Sequence, residues 1–430
     1  MRKVLVIAYY FPPMGLSGVQ RTLKFVKYLP LYNWQPTVLT IAQGSYFARD
    51  ESFLKEIEPL QIRVVRTGSI DPTRFFRKAD SPEATVVRMP REWIRKSLSV
   101  GSQFIFIPDN KIGWKRKACR AAAELLHREK FDLVFATAPP YTDFLIGHYL
   151  KKRFRVPLVL DYRDSWIDNP YHFYLTPIHR WLHRVLETRV LRASDKIITI
   201  NRRIKELLLK RYPFLQYQDI EIISQGFDPA DFDLDGIAHI PRGQKMILTY
   251  SGTFIDKRTP KYFLQALARI FHEQPGLRNK IEACFVGHFR EENLRLVRRL
   301  GLQDVVRVIG YVDHSECVRT LLASDVLWMI VGKGTGEDMM STGKLFEYLG
   351  ARKPILGCVP DGVAKTTIED SGAGIVVEPD DVQGIATAIK TLYRKHESGS
   401  LVGPAQDYVE KFNRKRLTAD LARTFELLAE

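Results

Sequence analysis

A lysine and a glutamate three residues apart, behind a hydroxyl and a glycine, form the group in this sequence with the most evident chemistry. The stretch is Ser341-Thr342-Gly343-Lys344-Leu345-Phe346-Glu347-Tyr348-Leu349-Gly350. Ser341 or Thr342 is expected to cap a helix, because a hydroxyl accepts a hydrogen bond from an otherwise unpaired N–H of the first turn. Gly343 lets a ligand approach the backbone. A helix N-terminus offers free N–H groups and partial positive charge, which suits a phosphate, and Lys344 adds a full charge beside it. Glu347 falls on the same face one turn deeper, where a carboxylate repels phosphate but accepts bonds from two vicinal hydroxyls. Phosphate at the mouth and a diol one turn inside describe a nucleotide. The same pattern also fits an amphipathic helix with a solvated Lys–Glu pair, so the rest of the chain has to decide.

The elements that position this helix alternate along the chain. Strand-like runs at 3–8, 36–41, 62–65, 133–136, 157–161, 196–200 and 220–223 are separated by helical patterns. An irregular stretch rich in Asp, Gly and Pro follows at 225–244 and reads as a linker. A second series has strands at 246–251, 281–286, 305–309, 326–330, 354–357 and 374–377. This alternation predicts an α/β chain of two Rossmann-like, doubly wound domains, 1–224 and 245–405, each with helices on both faces of a parallel sheet. A helical tail at 406–430 is expected to cross back to the first domain.

In such sheets ligands bind at the carboxyl ends of strands. Four segments there can do chemistry. Gly15 and Gly18 form a compact loop after the first strand, suited to a phosphate, although it is not the dinucleotide G-x-G-x-x-G pattern. Thr137 and Tyr141 flank the rigid Ala138-Pro139-Pro140 turn. Asp161, Arg163 and Asp164 follow the fifth strand and either position an acceptor hydroxyl or form an internal ion-pair network. Gly252 leads to Lys257 and Arg258, two cations beside a glycine turn, which suit a diphosphate or form a solvated charge pair.

Composition narrows the classes. The 430 residues carry a net charge of +16 and are 45% hydrophobic, as expected for a globular chain with an anionic partner. No zinc-finger, homeodomain or RNP pattern supports nucleic acid as that partner. The opening Met1-Arg2-Lys3-Val4-Leu5-Val6-Ile7-Ala8 is followed by Phe11-Pro12-Pro13 and reads as a strand rather than a signal peptide. The four cysteines are far apart without metal spacing and read as reduced core thiols. No Asp-x-Asp sits in a suitable loop, Asp231-Phe232-Asp233 lying in the linker, so neither metal nor other cofactor is expected.

In order and together, seven short segments resemble a known family. They are Tyr10-Phe11-Pro12-Pro13-Met14-Gly15, Phe106-Ile107-Pro108-Asp109 with Gly113-Trp114, Thr137-Ala138-Pro139-Pro140, Tyr162-Arg163-Asp164-Ser165-Trp166, Gln225-Gly226-Phe227-Asp228, Tyr250-Ser251-Gly252-Thr253, and Thr342-Gly343-Lys344-Leu345-Phe346-Glu347-Tyr348-Leu349. The chain resembles bacterial glycosyltransferases of the retaining family four, with the two-domain B-type fold, of the kind that build polysaccharide, O-antigen or capsule. The resemblance implies a nucleotide-sugar donor, most simply a UDP-sugar, on the second domain. It places Glu347 on the ribose and Ser341, Thr342 and Gly343 at the diphosphate. Lys257, Arg258 and Lys344 become its catalytic cations, Gly287 and Val312 neighbours of the base, and Gly15 and Gly18 donor contacts from the first domain. It places Arg163 and Asp164 among the catalytic residues and Thr137, Tyr141 and Asp161 at a lipid-linked or growing saccharide acceptor. Many members carry a second glutamate eight positions before the ribose glutamate. Here that position is Met339, with Glu337 and Asp338 out of register. The family's frequent histidine has no match, since His148 lies inside a helical pattern and reads as structural.

The expectation is therefore a cytoplasmic enzyme, peripheral on the inner face of the membrane. Its domains are expected to close over the donor, residues 15–21 facing 341–347. Residues 71–130 carry fourteen Lys and Arg against seven Asp and Glu, with Phe75, Phe76 and Trp93 among them, and are expected to meet anionic lipid. The competing readings are a nucleotide-sugar epimerase or phosphorylase of the same architecture, and a non-catalytic basic membrane-binding protein.

Overall fold

The computed structural model describes residues 1–15, 17–42, 49–69, 106–169, 174–233, 245–254, 257–334, 336, 339 and 342–429. Ser341, Glu337, Asp338 and residues 71–105, which hold Phe75, Phe76 and Trp93, lie outside them. The chain divides into two units, Met1–Ser224 with Lys415–Glu430, and Gln225–Arg414.

The first unit is built on β1 (Arg2–Ile7), β2 (Trp34–Ile41), β3 (Arg63–Thr67), β4 (Leu133–Ala138), β5 (Leu158–Tyr162), β6 (Lys196–Thr199) and β7 (Ile220–Ile222). The strands pair in parallel in the order β3-β2-β1-β4-β5-β6-β7. Winding reverses at β1, so the crevice of this sheet opens at the carboxyl ends of β1 and β4. Every residue of β4 and β5 is buried, as continuous apolar runs require in a sheet covered on both faces. The C-terminal helix Arg414–Ala429 places Leu417, Leu421, Ala422 and Phe425 in the core of this unit, Phe425 edge-on to Trp34 and Phe135.

The second unit repeats the plan with β8 (Met246–Ser251), β9 (Ile281–Val286), β10 (Val306–Gly310), β11 (Val326–Ile330), β12 (Ile355–Cys358) and β13 (Gly374–Val377). Its parallel order is β10-β9-β8-β11-β12-β13, and its crevice lies where β8 meets β11. Two Rossmann-like α/β domains are thus present, as the alternation of patterns predicts. Residues 225–233, read from sequence as linker, are ordered within this unit: Phe227 bridges to Asn413, and Asp228 caps the short helix Pro229–Phe232. Among the described residues no helix is long and apolar enough to cross a membrane.

One helix of the first unit is turned unusually. Pro177–Ala193 buries His179, His183 and Glu187, spaced one turn apart, against the domain. Trp166 Nε1–H donates to His183 Nδ1 at 3.0 Å, and the His183 and His179 Nε2 atoms lie 3.2 Å apart. Because an indole N–H only donates, His183 carries its proton on Nε2 and passes a hydrogen bond to His179. The Tyr212 hydroxyl donates to Glu187 at 2.5 Å. Burial nonetheless pushes the Glu187 carboxyl up from 4.5 to about 7. Its folded-state pKa exceeds its unfolded one, so the folded form holds the proton longer. Stability linked to this group is full below about pH 4.5, falls as pH rises to about 7, and is level above. Glu187→Gln removes that dependence. Urea unfolding from pH 4.5 to 8 is expected to show the wild type losing about 3 kcal/mol relative to the variant. Parallel profiles would contradict the assignment.

Candidate functional site

In the second unit three strand ends are glycines. The chain leaves β8 at Gly252 (φ +122°) and β9 at Gly287 (φ +113°), conformations that favour glycine. A Cβ on Gly287 would stand 2.6 Å from the Gly252 carbonyl oxygen, so the two backbones touch. After β11, a Cβ on Gly332 would lie 2.5 Å from Lys257 Cβ, and one on Gly334 2.2 Å from Lys257 Nζ. The Lys257 stem therefore rests on a glycine floor.

Lys344 arrives from the other side. A Cβ on Gly252 would stand 1.9 Å from its Nζ. The ammonium lies across the glycine turn, donates to the Tyr250 hydroxyl at 3.0 Å and sits 4.6 Å from the Tyr250 ring centre. Tyr250 is itself stacked on Phe254. The helix that carries Lys344, Gly343–Gly350, is fixed one turn later: the Ser251 backbone N–H donates to the Tyr348 hydroxyl at 2.9 Å. Burial holds that hydroxyl above its ordinary pKa, so it stays a neutral phenol. Tyr348 thus pins the helix to the end of β8, which puts its first turn over Gly252.

Thr342 occupies the N-cap position with extended backbone angles, but its side chain does not cap the helix. Its hydroxyl is buried and makes no hydrogen bond among the described residues, which corrects the capping role expected for it. The first turn is closed by backbone alone, Leu345 N–H to Thr342 C=O at 3.1 Å. Glu347 is nearly buried. Its Oε1 lies 3.7 Å from His314 Nδ1, and His314 Nε2 lies 3.1 Å from Asp231 Oδ2. His314 opens the helix His314–Leu322, whose N-cap Asp313 accepts from Glu316 N–H. Val312 lies in the loop just before that cap, half-buried. Lys344 at the helix mouth, and one turn inside a carboxylate with an imidazole 3.7 Å away, is the arrangement that results. Sequence reading missed His314, Tyr250, Tyr348, Gly332 and Gly334. Gly332-Lys333-Gly334 directly after an apolar strand was the available signal; nothing in the sequence linked His314 to Glu347.

The cysteines offer no alternative chemistry. All are free, and burial pushes the thiols of Cys317 and Cys358 up to about 12 and that of Cys119 up to about 11. Thiolate nucleophiles are disfavoured there.

In the first unit the expected acceptor contacts face inward. Strand β4 runs past its sequence-predicted end to take in Thr137, which pairs within the sheet with Asp161 of β5. Asp161 is fully buried. Its carboxylate takes the Arg21 guanidinium at 2.8 Å and the Thr137 hydroxyl at 2.8 Å. Arg21 also donates to the carbonyls of Ile223 and Ser224. This is the internal ion-pair network that the sequence offered as one role for Asp161. Tyr141 is buried as well, stacked on Trp166 with its hydroxyl donating to Ser165 C=O at 2.7 Å. Arg163 donates to the carbonyls of Gly18 and Pro139, tying the glycine-loop helix Ser17–Tyr28 to the proline turn. Its guanidinium therefore clamps the crevice wall, while the neighbouring Asp164 is half-buried. Gly15 precedes that helix and Gly18 lies in its first turn.

A small cleft of about 140 Å³ opens at this crevice, with Tyr10, Asn110, Lys111 and Asn169 on its walls. Asp109 supports it by capping the helix Thr142–Phe154 from a distance, accepting from Thr142 N–H at 2.9 Å and Thr142 Oγ1 at 2.8 Å. Asp143 on that helix accepts from Tyr9 N–H, and burial drives its carboxyl well above the ordinary range.

Residues 70–231 match the model of Glycosyltransferase Family 4, and residues 245–395 that of Glycosyl transferases group 1. A glycosyltransferase family model thus matches in each half of the chain. A D-inositol 3-phosphate glycosyltransferase from Kribbella flavida is 21% identical over 218 residues, 48% of this chain and 50% of the relative. One from Streptomyces scabiei is 24% identical over 216 residues, 47% of each. The matched stretch spans half or less of these curated relatives. Among solved structures, a glycosyltransferase from Rickettsia africae superposes with TM-score 0.66 at 14% identity, covering 99% of this chain and 98% of its own. The Anabaena HepE protein, crystallised with UDP-glucose, gives 0.66 at 16%, covering 99% and 100%. The UDP-GlcNAc 2-epimerase of Methanocaldococcus jannaschii gives 0.59 at 12%, covering 99% of each chain. At these identities the likeness shows the fold alone, the two-domain B-type glycosyltransferase architecture.

Proposed function

We propose that the chain is a glycosyltransferase that takes a sugar from a nucleotide-sugar, a UDP-sugar, and passes it with retention at the anomeric carbon to a lipid-linked or growing saccharide in cell-surface polysaccharide synthesis, peripheral on the inner face of the membrane. The observation that carries the reading is the Lys344 ammonium lying across Gly252 at a helix N-terminus, with Glu347 one turn inside. The two family matches and the UDP-glucose complex of the Anabaena neighbour support it.

In this mechanism the bond from the anomeric carbon to the diphosphate oxygen breaks, and the acceptor oxygen takes its place on the same face as its hydroxyl passes its proton to the leaving diphosphate. Negative charge grows on the leaving diphosphate. Lys344, Lys257 and Arg258, with the first-turn N–H groups, stabilise it there. Glu347 accepts from the ribose hydroxyls, with His314 close beside its carboxylate. Thr342 Oγ1, buried without a hydrogen bond among the described residues, supplies a donor to a diphosphate oxygen. The cationic side chains are assigned the role a metal plays elsewhere, so turnover is expected to survive EDTA.

Glu347→Gln tests the ribose contact. UDP affinity by calorimetry is expected to fall by about 1.5–3 kcal/mol, the worth of hydrogen bonds to a charged acceptor, while affinity for pyrophosphate stays unchanged. Equal UDP affinity in variant and wild type would remove Glu347 from the site. An epimerase is the second reading, since a UDP-GlcNAc 2-epimerase shares the architecture. A transferase releases UDP only when acceptor or water takes the sugar, whereas an epimerase returns an isomerised UDP-sugar, and chromatography of the products separates them. The names of the curated relatives also bring a phosphorylated polyol into the acceptor screen, and Lys111 at the small cleft of the first unit suits one.

A further inference from the structure

The first half of the helix Pro177–Ala193 buries His179 and His183 and leaves its apolar residues Ile178, Trp181 and Leu182 outside. Its orientation is fixed by the stripe His179, His183 and Glu187, held by Trp166 and Tyr212. Leu175 just before it is 53% exposed, Ile178 69%, Trp181 59% and Leu182 37%. These four recur at three- and four-residue spacing on the outer side, so they form a patch rather than scattered exceptions. The second half of the helix is basic: Arg184, Arg189 and Arg192 are exposed. Arg180, beside the apolar half, reaches toward Asp168 at 3.6 Å.

The basic surface continues onto two neighbouring helices. His148 of Thr142–Phe154 is held below its ordinary pKa by burial and by the charges of Lys152, Lys115 and Arg189. Those cations come from three helices, Thr142–Phe154, Ile112–Arg128 and Pro177–Ala193, and so converge on one place. Beside it an open groove of about 640 Å³ is lined by Lys115, Arg116, Arg120 and Arg153, with Glu124 as its acidic residue.

We propose that this face of the first unit, with Ile178, Trp181 and Leu182 as apolar anchors and the converging Lys and Arg side chains as its rim, docks on an anionic lipid bilayer. The inference deepens the peripheral-membrane part of the functional reading. Tryptophan and aliphatic side chains enter the head-group boundary while arginines stay among anionic head groups. Charge decides against a second copy of the chain. A two-fold contact buries the same patch from both copies, which would gather two sets of Arg184, Arg189 and Arg192 at one seam with no exposed acidic residue on this helix to offset them.

The test uses the full chain and vesicles of phosphatidylcholine alone or with phosphatidylglycerol. Wild type is expected to co-sediment with the anionic vesicles and to be released by salt. The triple variant Ile178→Ser, Trp181→Ser, Leu182→Ser is expected to bind at least tenfold more weakly with an unchanged melting temperature, since these side chains are exposed. Trp34, Trp114, Trp166 and Trp328 are buried, so in a Trp93→Phe background the lipid-sensitive emission belongs to Trp181 and is expected to shift to the blue. Equal vesicle binding by variant and wild type would overturn the proposal. So would equal binding to neutral and anionic vesicles, or a concentration-dependent dimer that the triple variant abolishes in the absence of lipid binding. UDP release from donor, measured without vesicles, keeps the two readings apart: lost docking with intact donor turnover sinks only this proposal, and docking without turnover sinks only the transferase.

Discussion

Lys344→Ala is expected to lower turnover at saturating donor by roughly 10²–10³-fold, the usual cost of removing one preorganised group from a developing oxyanion. The ammonium is held in place by its neighbours. Tyr348 pins the helix to Ser251, the Tyr250 hydroxyl and ring hold the Lys344 head, and Gly252 leaves the space it fills. Preorganisation of this kind costs no rearrangement in the transition state, so the loss falls on the chemical step more than on binding. Lys344→Arg is expected to rescue little, because a planar guanidinium cannot occupy the pocket that a slim ammonium fills over Gly252. Gly252→Ala is the complementary change. Its Cβ would meet Lys344 Nζ at 1.9 Å and would have to adopt φ near +122°, so it displaces the same charge without deleting it. Single-turnover kinetics with donor in excess, alongside calorimetry with UDP and with uridine, make the check. Full single-turnover rate in Lys344→Ala would remove the lysine from the mechanism. Weakened uridine binding would move it from the diphosphate to the nucleoside.

The parallel architecture was legible because buried strands leave uninterrupted apolar runs. Thirteen strands lie where those runs predict them. What periodicity could not give was where a strand stops. Thr137 looked like a loop residue, and Asp161 like the last residue before one, because polar side chains ended the apolar run. Their polarity has another cause, since both serve Arg21 inside the sheet. Lys344 and Glu347 could be read locally, one turn apart on one helix. His314 could not, because it meets Glu347 only through the fold, from a helix that begins thirty-three residues earlier. The outer face of Pro177–Ala193 was hidden for the opposite reason. Its helical spacing is normal, and only burial tells which side is inside.

Asp161→Ala is expected to cost the first unit about 3–5 kcal/mol, because it leaves the Arg21 charge buried without its partner. Arg21 and Asp161 are each about 1% exposed, and they meet 2.8 Å apart beneath the carboxyl ends of the central strands. The guanidinium also donates to the carbonyls of Ile223 and Ser224, and its burial leaves its charge little screened by solvent. The Thr137 hydroxyl is lost to the network with the carboxylate. Replacing both charges with apolar groups of similar volume, Arg21→Met with Asp161→Leu, is expected to recover most of the loss, since no unpaired charge remains. Urea unfolding followed by the emission of Trp34, Trp114 and Trp166, all in the first unit, makes the measurement; Trp328 reports the second unit. The same variants decide between the two roles considered for Asp161. A structural pair predicts a lower unfolding midpoint in Asp161→Ala, unchanged acceptor KM at temperatures where the unit stays folded, and rescue by the double replacement. An acceptor contact predicts an unchanged midpoint, a raised acceptor KM and no rescue, and that pattern would return Asp161 to the site.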